Sequence, residues 1–173
     1  MIEVMKKLKI SSHPNTVYAV CTVQEEVGLR GAQTSSHAVQ PDIGINLEAG
    51  VAADFPGITP DEAQESIGKG PSIFLHDGSM LPNTRLRDLC AEVAEEEGLI
   101  VQYTVLSGYG EDGAEMQRSG SGAPAINIAV PTRYLHSHNA IISRVDFDQT
   151  VQLVFKLIQR LDSDMLDHLK SFD

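Results

Sequence analysis

Strand-like and helix-like segments alternate along this chain of 173 residues, and this alternation constrains the fold more than any other feature. Short apolar runs rich in Val and Ile predict buried strands, whereas apolar residues spaced three and four apart predict helices. The predicted strands are 16–23, 43–48, 72–76, 99–106 and 125–130. The predicted helices are 1–10, 31–39, 83–97, 114–119 and 146–169. The pattern predicts a three-layer α/β/α domain with a mostly parallel sheet.

Two predictions concern individual residues within these elements. Asp146 and Gln149 are spaced like a capping box at the start of the last helix. The two cysteines, Cys21 and Cys90, lie in apolar segments, so we expect both to be small core residues rather than a disulfide framework.

Composition excludes several classes of partner. A formal net charge of −11 leaves no basic patch to neutralise phosphates, so we expect no nucleic-acid partner and no anionic membrane surface. The hydrophobic fraction of 42% is ordinary for a globular protein with a real core. We find neither a signal-peptide pattern nor an apolar run long enough to span a membrane, and therefore expect a cytoplasmic protein.

Acidic and histidine side chains follow three of the predicted strands. Glu25 and Glu26 follow the first strand, Glu48 ends the second, and His136 and His138 come shortly after the last. Parallel strands place ligand sites outside their carboxyl ends, so these groups are expected at one edge of the sheet. Carboxylate and imidazole together suit zinc and similar divalent ions. The spacing is not a compact local metal motif, so the pattern alone does not specify a metal.

Each of these residues also has a purely structural explanation. Adjacent side chains on an extended backbone point opposite ways, so one of Glu25 and Glu26 can bind a cation while the other faces what the cation activates. A solvated acidic loop explains a bare Glu-Glu pair more simply. For Glu48, the sequence favours a structural salt bridge and a metal-binding role about equally. Turns or exposed loops explain three further residues, namely Asp54, Asp77 and His138.

Four segments, in order, resemble the glutamyl-aminopeptidase and tetrahedral-aminopeptidase family of dinuclear metallopeptidases. Residues 22–32, TVQEEVGLRGA, closely resemble that family's Glu-Glu segment. The other three segments are 45–57, with INLE and DFPG, 110–114, with GEDGA, and 131–137, with PTRYLHS. The resemblance covers nearly the whole chain.

The resemblance implies a role for each site residue. Glu25 would be the general base, Glu26 and His136 would bind one metal ion, and Glu48 would bind the other. The two divalent ions would be zinc or cobalt. The implied protein is a cytoplasmic aminopeptidase that removes N-terminal residues from short peptides and forms a homo-oligomer such as a dodecamer.

The resemblance also implies that Asp112 and Arg133 bind the substrate. Two positions depart from the family pattern. Glu48 stands where the family usually has Asp, so this ligand reaches further by one methylene. Glu111 stands where the family usually has Thr, which adds a negative charge near the substrate pocket.

The family's N-terminal half has no counterpart in residues 1–173. That half carries a metal-binding histidine, the aspartate that bridges the metals and a small β-rich domain. We therefore expect residues 1–173 to form the C-terminal portion of a catalytic domain, with little activity alone. One alternative is a non-catalytic half-domain that acts as a binding or assembly module. Some family members are labelled endoglucanases, but a glycosidase needs two carboxyls flanking a sugar bond, and this alternative ranks lower.

Overall fold

A five-stranded sheet with helices on both faces forms the centre of the protein. The computed structural model describes residues 1–59 and 61–171. Its strands are β1 (Gly44–Val51), β2 (Ser72–Asp77), β3 (Gln102–Leu106), β4 (Ala125–Arg133) and β5 (Ile141–Ile142). Its α-helices are α1 (Ile2–Lys9), α2 (Arg30–Val39), α3 (Thr84–Glu96), α4 (Gly113–Gln117), α5 (Arg144–Arg160) and α6 (Ser163–Lys170). The predicted α/β class is confirmed.

Two parallel strand pairs meet at an antiparallel junction. The strand order is β1-β4-β2-β3, with β5 paired to β4. β1 runs parallel to β4, and β2 runs parallel to β3. β2 and β4 are antiparallel, with Ile73 opposite Ile128. The mostly parallel sheet is therefore mixed, and the carboxyl ends of β1 and β4 reach the same edge.

The two faces of the sheet differ because side chains alternate along each strand. One face belongs to the main hydrophobic core, in which residues of α1, α3 and α5 pack on Ile73, Ile126 and Ile128. The other face carries Asn46, opposite Asn127 in register, and is contacted by α4. Helices therefore form layers on both sides, and the polar face is the one that can hold a site.

The start of α3 agrees with its sequence pattern. Asn83 is the N-cap, and its side chain accepts a hydrogen bond from the Leu86 amide at 2.9 Å. Leu86, Leu89 and Cys90 then lie on the buried side of the helix. Cap and apolar stripe are both local features of the sequence, which is why this helix was predictable.

The predicted helix over 146–169 is wrong, because the structure has two helices there. α5 ends at Arg160, and Asp162 caps α6 by accepting a hydrogen bond from the Met165 amide at 2.8 Å. The apolar spacing continues across this break, so periodicity alone hides it. The predicted capping box is also wrong, since the N-cap of α5 is Ser143.

Asp146 instead anchors a loop. Its side chain is buried and accepts hydrogen bonds from the amides of Gly68 at 2.7 Å and Gly70 at 3.0 Å. The carboxylate thereby ties the segment before β2 to the first turn of α5. Gly70 has a φ of 80°, a left-handed conformation that favours glycine.

The predicted strand over 16–23 is also wrong. Residues 16–22 have no regular secondary structure, and Tyr18 and Val20 are exposed. Cys21 is exposed as well, contrary to expectation, whereas Cys90 is buried as expected. A cleft lies between this segment and β1. The segment has strand-forming residues, but in residues 1–59 and 61–171 no neighbouring strand shares backbone hydrogen bonds with it.

No helix within the described ranges is both long enough and apolar enough to cross a bilayer.

Candidate active site

The Glu25–Glu26 pair lies in one turn of 3₁₀-helix, Glu25–Val27, rather than at the end of a strand. Left-handed residues flank this turn, with a φ of 60° at Gln24 and 57° at Leu29. Successive residues of a 3₁₀-helix are separated by about 120° around its axis, so the two carboxylates diverge. Sequence analysis also predicted that the two side chains point apart, but it assumed an extended backbone where the structure has a 3₁₀ turn.

His136 approaches the pair from the loop after β4. Its Nδ1 lies 3.1 Å from Glu26 Oε1. His136 and Tyr134 both have positive φ, 58° and 61°. This conformation is costly for residues other than glycine and occurs often at binding and catalytic sites. The structure therefore brings Glu26 and His136 together, as the sequence predicted.

Five carboxylates form what we call the acidic cluster: Glu25, Glu26, Glu48, Glu111 and Asp112. Their side chains interact repulsively, and His136 is the group that counters the charge on Glu25. The cluster includes Glu111, at the position where the family resemblance led us to expect Thr. His138 forms no part of it in the described residues, so it remains a loop histidine.

The electrostatics of the cluster disfavour full ionisation. Burial raises the pKa of Glu48 to about 7; the hydrogen bond from Asn46 lowers it, and Glu25 and Asp112 raise it further. Burial raises the pKa of Glu111 to about 8, and Glu48 and Glu25 add to the effect. Burial, then Glu26, then Asp112 raise the pKa of Glu25. Each shift has the sign expected for partly buried carboxylates that lie close to one another.

The donors present suit a divalent cation in type but not in number. Asp112 is 2% exposed, and its Oδ1 has no hydrogen-bond partner among the described residues. A buried unpaired carboxylate oxygen is costly, which favours a cation or a polar ligand there. However, no three His, Cys, Asp or Glu side chains in the described part of the chain are arranged to hold one metal ion. Catalytic zinc normally has three protein ligands and a water.

Arg133 is engaged with Asp54. Its Nε and Nη2 donate to the two carboxylate oxygens of Asp54 at 2.8 and 2.7 Å, and this contact lowers the pKa of Asp54. Asp54 Oδ2 also accepts a hydrogen bond from the Ile67 amide at 3.0 Å. The pair therefore joins the end of β4 to the loop after β1. Contact between Arg133 and a substrate stays a prediction.

Sequence analysis missed a chain of buried amides behind Glu48. Asn127 Nδ2 donates to Asp77 Oδ2 at 2.6 Å. Asn46 Nδ2 donates to Asn127 Oδ1 at 3.1 Å and to Glu48 Oε1 at 3.2 Å. We call this series of hydrogen bonds, from Asp77 through Asn127 and Asn46 to Glu48, the amide relay; it spans β2, β4 and β1. Its visible trace in the sequence is an Asn at the same place in two buried strands, Ile45-Asn46 and Ile126-Asn127.

Asp77 sets the direction of this relay. Its Oδ1 accepts hydrogen bonds from the amides of Ser79 and Met80 at 2.6 and 2.8 Å, which confirms its predicted role in a turn. Because a carboxylate only accepts, Asp77 orients the Asn127 amide, and Asn127 in turn orients Asn46. The donor to Glu48, Asn46 on the same strand, is thus oriented through β4 by a carboxylate on β2.

Comparison with known proteins shows the family and the fold of the chain. The sequence profile of the M42 glutamyl aminopeptidases matches residues 1–153. The lysyl aminopeptidase of Pyrococcus furiosus is 32% identical over 165 residues, 93% of this chain and 45% of that protein. The TET aminopeptidase of a marine-sediment Thaumarchaeota archaeon superimposes with a TM-score of 0.91 at 43% identity, covering 96% of this chain and 46% of that one.

A third relative carries information about assembly. The Pyrococcus horikoshii TET1 peptidase, described as assembling into a tetrahedron or a large octahedral shell, matches with a TM-score of 0.70 at 28% identity. That match covers 81% of this chain and 40% of that one. The chain thus spans less than half the length of the relatives it matches. All four segments that carry the resemblance lie within the matched range, and the chain belongs to the M42 glutamyl aminopeptidase family.

Proposed function

We propose that residues 1–173 are the C-terminal portion of a catalytic domain, and that the assembled protein is a metal-dependent aminopeptidase acting on short peptides. The observation that carries the proposal is the 3.1 Å approach of His136 to Glu26, with Glu25 beside it and Glu48 within the same acidic cluster. Family membership supports the same reaction class.

In this proposal Glu26 and His136 hold one divalent ion, and Glu48 holds the other. Zinc and cobalt are the ions we expect, since carboxylate and imidazole donors suit them. When bound, such ions lower the pKa of water and polarise a carbonyl group. The unpaired Oδ1 of Asp112 and the raised pKa of Glu48 support positive charge in this region.

Glu25 is the proposed general base. It would accept a proton from the attacking water and deliver that proton to the amine nitrogen as the peptide bond breaks. Its raised pKa, caused first by burial and then by Glu26 and Asp112, moves it toward neutral pH. A general base works best when its pKa lies near the operating pH.

The peptide substrate would be recognised mainly by charge. A free N-terminal ammonium would be attracted by the acidic cluster, and Asp112, its most deeply buried member, would bind it. Arg133 would contact the substrate from the end of β4, where its pair with Asp54 fixes its position. A homo-oligomer, such as a dodecamer, is supported by the assemblies described for TET1, which include a dodecamer and a large octahedral shell.

Residues 1–173 alone should show little or no activity on chromogenic amino-acid amides, even with added cobalt or zinc. The reason is that no three-ligand group exists in the described residues. Activity should return when the chain is mixed with, or fused to, the part of the thaumarchaeal TET aminopeptidase that lies outside the aligned 46%. We call this polypeptide the complementing half. Full turnover by residues 1–173 alone, with two tightly bound ions, would contradict the ligand count.

A second candidate is a non-catalytic half-domain that serves as a binding or assembly module. The shortage of ligands among the described residues favours it. Metal analysis separates the two candidates, because only the enzyme requires bound ions after reconstitution. The endoglucanase alternative is less well supported, because a glycosidase needs two carboxyls on either side of a sugar bond, whereas the contact described here joins Glu26 to His136.

A further inference from the structure

The loop between β4 and β5 carries His136, and its backbone is strained. Tyr134 and His136 have φ values of 61° and 58°, a conformation that non-glycine residues keep only where the surrounding structure enforces it. Pairing of β4 with β5 fixes the two ends of this loop, and the Ser137 hydroxyl donates to Tyr134 O at 2.6 Å. These contacts lie within the hairpin, so the direction in which the loop leaves β4 needs a further constraint.

Two contacts hold the start of this loop to the segment after β1. Arg133 Nε and Nη2 donate to the two carboxylate oxygens of Asp54 at 2.8 and 2.7 Å. Directly beside this pair, the ring centroids of Phe55 and Tyr134 lie 4.6 Å apart, with the ring planes inclined by 52°. A bidentate pair fixes direction as well as distance, and the adjacent aromatic contact opposes rotation about it. We call these two contacts the Asp54–Phe55 clamp.

The clamp is itself fixed to the body of the protein. Asp54 Oδ2 accepts a hydrogen bond from the Ile67 amide at 3.0 Å. The next residue, Gly68, donates its amide to the buried carboxylate of Asp146 on α5 at 2.7 Å. Asp54 therefore belongs to a hydrogen-bonded series that reaches α5, and its contacts extend beyond the turn that sequence analysis assigned to it.

The contact between His136 and Glu26 depends on backbone placement. Their side chains are 54% and 70% exposed and approach to 3.1 Å. A contact between side chains this exposed contributes too little free energy to hold two segments together by itself. The backbones must therefore bring the side chains together. Only Tyr134 and Leu135 separate His136 from Arg133, so the clamp acts close to the histidine.

We propose that Asp54 and Phe55 are positioning residues, which hold His136 against Glu26 by fixing the start of the loop. A partly exposed ion pair adds little to the free energy of unfolding, so the main effect of the pair with Asp54 is the direction that it gives the loop. The inference concerns the geometry of the His136–Glu26 contact, and its importance for catalysis rests on the proposed function.

Nuclear magnetic resonance of residues 1–173, recorded without metal or substrate, tests the clamp. The unaltered chain should show nuclear Overhauser cross-peaks between the His136 ring and the Glu26 side chain, because the two groups are in contact. Asp54→Ala should lose these cross-peaks, since the guanidinium of Arg133 then loses its anchor. The midpoint of urea unfolding should stay nearly unchanged, because the pair is partly exposed.

Asp148→Ala is the matched control. Arg144 follows β5 closely, and its Nε donates to both carboxylate oxygens of Asp148 at 2.9 Å. This variant therefore removes another Arg–Asp pair beside the same hairpin without touching the clamp. It should keep the His136–Glu26 cross-peaks at full intensity.

The aromatic contact provides an independent check. Phe55→Ala removes the ring that packs on Tyr134 and should weaken the His136–Glu26 cross-peaks by roughly threefold or more. Phe55→Tyr keeps a ring at this position and should retain them. If Asp54→Ala fails to fold, these two variants decide the matter.

The outcomes separate this inference from the proposed function. Full cross-peak intensity in Asp54→Ala, or in Phe55→Ala where Asp54→Ala does not fold, would overturn the clamp and leave the aminopeptidase proposal standing. Loss of the cross-peaks in Asp148→Ala as well would also overturn the clamp, since any lost ion pair near the hairpin would then have the same effect. Their absence from the unaltered chain would contradict both the clamp and the contact that carries the proposed function.

Discussion

Glu25→Gln should lower kcat of the reconstituted enzyme by about 10²–10⁴-fold while leaving its metal content nearly unchanged. Glutamine keeps the shape of the side chain but cannot accept the proton that a general base must take. Glu25 interacts electrostatically with Glu26, Asp112 and His136. The carboxylate in direct contact with His136 is that of Glu26. Steady-state kinetics and elemental analysis of the purified protein measure the two effects.

Glu26→Gln is the matched control, since it alters the neighbouring residue by the same chemistry. It should weaken metal binding, because Glu26 is the carboxylate that meets His136 at 3.1 Å. Loss of metal to the same extent in both variants, with equal residual activity, would show that the two roles are wrongly divided.

Glu65→Gln should stabilise the protein at high pH. Glu65 is 0% exposed, and within the described part of the chain neither carboxylate oxygen has a hydrogen-bond partner of ordinary geometry. The nearby Ser72 hydroxyl lowers the pKa of Glu65, but burial outweighs it. Burial raises the pKa of Glu65 from 4.5 to about 7. The folded state therefore binds the proton more tightly than the unfolded state, so the free energy of unfolding falls as pH rises between these values.

The expected size follows from that shift. Between pH 4.5 and 8, the free energy of unfolding of Glu65→Gln minus that of the unaltered chain should grow by roughly 3 kcal/mol. Glu48 and Glu111 also contribute to the pH dependence, but they are common to both proteins and cancel in the difference. Urea titrations at several pH values measure it.

Glu95→Gln is the control, because Glu95 is exposed on α3 and should change the difference by only tenths of a kcal/mol. A pH-independent difference for Glu65→Gln would mean that Glu65 is ionised in the folded protein and has found a partner.

Elements whose determinants are local were predictable from the sequence. α3 carries its own cap at Asn83 and its own apolar stripe, and it forms nearly where expected. Residues 16–23 have strand-forming side chains but form no strand, because pairing depends on a neighbour that no local pattern reveals. The break before α6 was hidden for a related reason, since the apolar spacing runs through it.

The candidate site divides in the same way. Glu25, Glu26, Glu48 and His136 were predicted from their positions after strands and from family resemblance, and the structure brings them into one region. The amide relay was not predictable, because contact between Asn46 and Asn127 depends on the register of two strands far apart in sequence. Nor does any sequence pattern show that Arg133 is held by Asp54.

The pairing of β1 with β4 also bears on how the chain reaches its fold. Between these two strands the chain forms β2, α3, β3 and α4, whereas β2 and β3 are joined through α3 alone. Closing a long loop costs more chain entropy than closing a short one, and contacts between distant residues slow folding. The β2–α3–β3 unit is therefore expected to form early, and β1 to add only once β4 has been positioned. Glu48 therefore lies on β1, the strand that we expect to join the sheet only after β4 is in place.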